Sequence, residues 1–126
     1  MCEFVIDIKH ILEIIFKTTK KSARFFSDSY LCKDVSILSK WKSKKTVPRS
    51  DDLSKVVEFT MQEANSSQRI VIRNKIEDLI KNSYLEENIR NNLLIKDNFE
   101  EFLSETLSVS IMEKTWIMPL RHCKTN

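Results

Sequence analysis

The chain contains no glycine in 126 residues, where usage of about 7% is ordinary, and this limits its fold more than any other feature. Tight two-residue hairpins depend on Gly, Asn-Gly or Asp-Gly for their positive φ angles, and none of these pairs occurs. Helices joined by Ser, Asn and Asp turns make no such demand. The expected class is therefore all-α. An apolar share of 41% is enough to bury a core, so the chain should be globular.

Apolar spacing divides the chain into helices. Ile6, Ile8, Ile11, Leu12, Ile15 and Phe16 recur at three and four residues, behind Asp7 as a cap. Thr18 and Thr19 are placed to cap a second helix over about 20–31, carrying Phe25, Phe26, Tyr30 and Leu31. A third helix is expected from Asp34, whose carboxylate can accept the unpaired amide hydrogens of a first turn. Pro48 marks a loop. Ser50 or Asp51 then caps a fourth helix, with Leu53, Val56, Val57 and Phe59 facing inward. These helices make residues 1–64 one small domain.

Residues 65–126 read as a separate helical region. Ile72, Ile76, Leu79 and Ile80 lie on one helix face, Leu85, Ile89, Leu93 and Leu94 on a second, and Phe99, Phe102, Leu103 and Leu107 on a third. The tail from 115 onward, with Trp116 and Pro119, has no period and receives no assignment.

Several functional classes are disfavoured. Cys2, Cys32 and Cys123 stand apart with no metal-ligand spacing, so they read as free thiols in a reducing compartment. Neither His10 nor His122 has a partner at such a spacing, and no metal or cofactor is expected. No apolar run reaches the ~20 residues of a membrane span, and the first residues lack a signal-peptide pattern. A cytoplasmic protein, nucleoid-associated through its DNA, is the expectation. A chain without glycine cannot form a Gly-rich phosphate loop, and no nucleophile-base or paired-carboxylate constellation is visible. We therefore expect no enzymatic activity.

Charge is the positive signal. The net formal charge is only +3, but residues 17–49 hold ten Lys and Arg against Asp28 and Asp34. A wheel at about 100° per residue puts Ile37, Leu38 and Trp41 on one arc of the third helix, and Val35, Ser36, Ser39, Lys40 and Ser43 on the other. The second arc carries small polar groups and one cation. Such a face can enter a groove walled by phosphates, because it bears no large acidic side chain.

In its details the segment 34–48 resembles the third-helix signature of the phage repressor and Cro-like (XRE-type) helix-turn-helix regulators. Leu38-Ser39-Lys40-Trp41 matches the aliphatic-Ser-basic-Trp block that closes that helix, and Ser43-Lys44-Lys45-Thr46-Val47-Pro48 matches the turn that leads to a proline. Leu53, Val56 and Phe59 follow where the next apolar helix belongs, so the similarity spans about residues 5–60. Cys32 and Lys44 stand where the family has glycine, and the small residue packed between helices two and three is Ser27 or Asp28.

The resemblance implies a repressor-like domain of four to five helices that reads the major groove with residues 34–43. By position it assigns base contacts to Val35, Ser36, Ser39 and Lys40, and phosphate contacts to Lys21, Arg24, Ser43 and Lys45. It further implies a sequence-specific transcriptional regulator, most simply a repressor, bound to double-stranded DNA as a homodimer; the apolar stripes of residues 66–111 make that segment the expected dimer contact, or else an effector-linked segment. The alternative is an antirepressor-like interaction module that keeps the fold without binding DNA.

Overall fold

A computed structural model describes residues 6–115, the side chains of 113–115 excepted. Trp116, Pro119, Cys2, His122 and Cys123 lie outside the described residues. Every regular element within them is helical. The order is α1 (Ile8–Thr19), α2 (Ala23–Phe26) continued by a π-helical stretch (Ser27–Leu31), α3 (Ser36–Lys42), α4 (Ser50–Glu63), α5 (Ser66–Lys81), α6 (Glu87–Leu94) and α7 (Phe99–Thr115).

The helix starts follow from local hydrogen bonding. Asp7 caps α1, its carboxylate accepting from Lys9 N at 3.0 Å. Asn65 and Gln68 close a reciprocal capping box on α5, at 2.8 and 2.9 Å. Elsewhere the caps differ from the sequence expectation. Thr18 and Thr19 cap nothing, because both stay inside α1 and the buried Thr19 hydroxyl donates to Ile15 O at 2.8 Å. Lys20 then turns left-handed at φ 62°, and Ser22 caps α2 instead, accepting from Phe25 N at 3.0 Å. The fourth helix has Arg49 rather than Ser50 or Asp51 at its cap, where the Asp52 carboxylate reaches back to Arg49 N at 3.0 Å. Leu85 is buried but precedes α6.

Two long pairings organise the packing, α1 along α5 and α4 along α7. They bring residues from both sides of Ala64 into one hydrophobic cluster. Ile11, Leu12 and Ile15 of α1 are buried in it together with Ile72, Ile76 and Ile80 of α5 and with Phe102, Leu103 and Leu107 of α7. Burying each such side chain is worth about 1.5–3 kcal/mol, so most of the apolar stripes of 66–111 is spent inside the chain, with Leu79, Ile89, Leu94 and Phe99 left half-buried. Several buried hydroxyls are satisfied within their own helix. Thr60 and Thr106 repeat the Thr19 arrangement, each hydroxyl donating to the carbonyl four residues earlier at 2.8 Å.

A nest of rings fixes the region around α2. Phe59 of α4 meets Phe26 at 5.1 Å and Tyr30 at 5.2 Å between centroids, both edge to face. Tyr30 extends the link by donating to Glu63 Oε2 at 2.5 Å. In the second half, Arg73 stacks over the Phe102 ring at 4.1 Å, pairs with Glu77 at 2.8 Å and donates to the carbonyl of Lys96. One guanidinium thereby joins α5, the loop after α6 and α7.

Candidate nucleic-acid interface

The chain between α2 and α4 places the third helix at the surface in a defined orientation. Leu31 ends the π-helical stretch, and Cys32 takes a left-handed φ of 57°. That reverses the chain within a few residues. The side chain of Asp34 then accepts from Ser36 N at 2.9 Å and opens α3. The same bonds, from the Ser36 backbone and then its side chain, hold the Asp34 carboxyl below its usual range, with Arg24 and Lys40 adding a favourable field. Arg24 at the start of α2 and Lys40 on α3 thus both act on one carboxylate at the mouth of the turn.

The far end of α3 closes with a Schellman arrangement. Lys45 N bonds to Lys40 O at 2.8 Å and Lys44 N to Trp41 O at 3.1 Å, with Lys44 left-handed at φ 65°. Cys32 and Lys44 therefore hold left-handed geometry at the two positions where a glycine is expected. Of the two candidates for the small packed residue, Ser27 is fully buried and Asp28 is exposed.

Leu38 and Trp41, each 2% exposed, pin α3 to the core, and α3 lies against α1. Ser36, Ser39, Lys40 and Ser43 face solvent. Val35 does not join them fully: it is half-buried and packs against the core beside Ile37. Regular helix covers Ser36–Lys42 and not 34–43, because Asp34 and Val35 form the turn that precedes it and Ser43 the cap that follows.

The remaining candidate cations differ in their surroundings. Lys21 pairs with Glu63 at 3.5 Å and lies over the Phe25 ring at 5.2 Å, so its charge is shared. Lys33 is held by Asp52 at 2.8 Å and Lys44 by Asp7 at 3.2 Å. Arg24, Lys40 and Lys45 are exposed and make no ion pair within the described residues. Spacing alone could not separate these two groups, since Asp52 and Glu63 lie far along the chain from the lysines they hold.

Among the described residues no group of three or more His, Cys, Asp or Glu side chains is placed to hold a metal ion. No helix among them is long and apolar enough to cross a membrane. Cys32 is an exposed free thiol. Comparison with protein-family models, with curated proteins and with solved structures finds no match.

Proposed function

We propose that this chain is a sequence-specific DNA-binding transcriptional regulator of the helix-turn-helix kind, acting as a repressor and reading the major groove with the open face of α3. One observation carries the reading. α3 is locked to the core through Leu38 and Trp41, while its other side offers Ser36, Ser39, Lys40 and Ser43 to solvent, and residues 35–50 contain no carboxylate at all. Small polar side chains let a helix sit deep between phosphate walls, and a serine or lysine there can bond base edges.

Around it, Arg24 and Lys45 supply charge for the backbone, with Ser43 as a neutral donor. Lys21 contributes less, because Glu63 already neutralises it. Val35 is left with its outer edge for a thymine methyl. A helix of this length covers one half-site, so two copies are needed for a full operator. With most of the stripe residues of 66–111 buried, the contact between copies falls to exposed apolar side chains of that segment, Ile70 and Ile95, which are 61% and 71% exposed.

Selection of bound duplexes from a random pool, followed by titration of the winning duplex against a scrambled one over a salt series, tests the proposal. A preference of on the order of 1000-fold is expected. Equal affinity for both duplexes at every salt concentration would leave only electrostatic attraction and overturn it.

A further inference from the structure

α1 and α5 run side by side, and the seam between them opens to solvent as a cleft of about 490 Å³. Its floor is apolar: Ile14 and Leu79 are half-buried, and Val71 is 40% exposed. Lys17, Lys20 and Lys75 stand on the rim, with Glu13 as the one carboxylate of the lining. None of these four makes an ion pair within the described residues. A concave site of a few hundred Å³, apolar beneath and with a few charged groups at its edge, is the ordinary make-up of a small-molecule pocket.

We infer that the α1/α5 cleft binds a small amphipathic organic anion. Its apolar body lies on Ile14, Val71 and Leu79, and its charged head sits among Lys17, Lys20 and Lys75. Charge decides against the two other occupants. A second copy bringing the same cleft across a two-fold axis would set three lysines against three lysines with only Glu13 to offset them. A nucleic-acid backbone would gain from the lysines but would lay its phosphates over apolar side chains.

The cleft is one helix away from α3, because α1 touches both α3 and α5. The anion site stands independently of the DNA-binding proposal, and its test uses no DNA.

The probes are anilinonaphthalene sulfonate, an amphipathic anion that fluoresces in apolar surroundings, and N-phenylnaphthylamine, the same ring system without the sulfonate. Both would be titrated into the full chain, into Lys17→Glu/Lys75→Glu and into Val71→Asp, with circular dichroism confirming that each melts as the parent does. The rim variant should bind the sulfonate on the order of tenfold more weakly while holding the neutral probe within about twofold. Val71→Asp should weaken both probes. Unchanged sulfonate binding in both variants would overturn the inference. So would equal losses of the two probes in the rim variant, which would mean an apolar surface with no anion preference. A parent chain that binds neither probe, and sediments as a dimer that Val71→Asp separates, would make the cleft an interface between copies and overturn it as well. Because Val71 is already partly exposed, Val71→Asp should fold; if the rim variant alone melts early, Lys75→Gln with the same two probes decides in its place.

Discussion

Lys33, in the turn before α3, holds the carboxylate of Asp52 in the first turn of α4 at 2.8 Å, across 19 residues of chain. Asp52 is 5% exposed and also accepts from Arg49 N at 3.0 Å. One carboxylate thus closes the start of α4 and fastens the turn that orients α3. The two bonds differ in worth. A capping acceptor is worth about 0.5–2 kcal/mol, while an ion pair whose lysine is 47% exposed contributes up to about 1 kcal/mol. Asp52→Ala should cost about 2 kcal/mol and Lys33→Ala less than about 1 kcal/mol, read from urea midpoints. Equal costs would mean that the ion pair, and not the cap, carries the stability.

Ser27 yields the opposite sign. It is fully buried, and its Oγ has no hydrogen-bond partner among the described residues, so its hydroxyl has lost water without replacement. Such a group costs about 1–3 kcal/mol. Ser27→Ala removes the hydroxyl and leaves almost no cavity. The variant should be about 1 kcal/mol more stable than the parent in urea unfolding; a loss of stability would mean that the hydroxyl is satisfied after all.

Periodicity reveals which face of a helix is buried, and that much of the fold was legible: Ile72, Ile76 and Ile80, or Phe102, Leu103 and Leu107, are core as their spacing implies. It cannot reveal what covers that face. The same stripes suggested a partner protein, and the chain itself covers them through α1 and α4. Caps were legible where a short side chain had no competing bond, as at Asp7. They failed at Thr18 and Thr19, because a threonine can equally bond the carbonyl four residues back and remain in the helix. The left-handed turns at Cys32 and Lys44 were recoverable only from the pattern around them, and Lys20 carried no such signal. Nor did the π-helical stretch Ser27–Leu31. At the candidate interface, Ser36, Ser39, Lys40 and Ser43 were placed correctly on the open side by the wheel. Val35 was not: its backbone is already helical at φ −60° and ψ −21°, and at about 100° per residue it falls only about 60° from Leu38, on the border of the buried arc, where it is half-buried.

Tyr30 links the π-helical stretch to the end of α4 through Glu63 Oε2, at 2.5 Å. The hydrogen bond to Glu63, with burial and the carboxylate charge behind it, raises the phenol from 10.0 to about 12. The protonated phenol is thus favoured by folding, and its contribution is complete below pH 10 and lost as pH rises through about 12. Parent and Tyr30→Phe should differ in melting temperature by a constant amount up to about pH 10, and the gap should close above it. Absorbance titration should show a tyrosinate forming near 12 that is missing in the variant. A gap that persists through that range would mean that the Tyr30 hydroxyl stabilises the fold whatever its ionisation, and no gap at any pH would mean that ring packing against Phe59, which phenylalanine keeps, supplies the whole effect.

Base reading and simple attraction to phosphates are separated by Lys40 and Lys45. Lys40 stands on the open face of α3, whereas Lys45 lies in the turn beyond, its N–H bonded to Lys40 O at 2.8 Å. Both are exposed and outside any ion pair within the described residues, so replacing either should leave the fold intact. If α3 enters the groove, Lys40→Ala loses a donor to a base edge. Discrimination between the selected duplex and one altered at a single base pair should then fall by about 1–3 kcal/mol. Lys45→Ala should instead weaken every duplex alike and lower the slope of log affinity against log salt by about one, because one phosphate contact and its released counterion are gone. Matched duplexes titrated over a salt series give both quantities from the same data. Uniform losses in both variants, with discrimination unchanged, would mean that α3 does not read bases, and the chain would then be better described as an interaction module whose basic face meets an acidic partner.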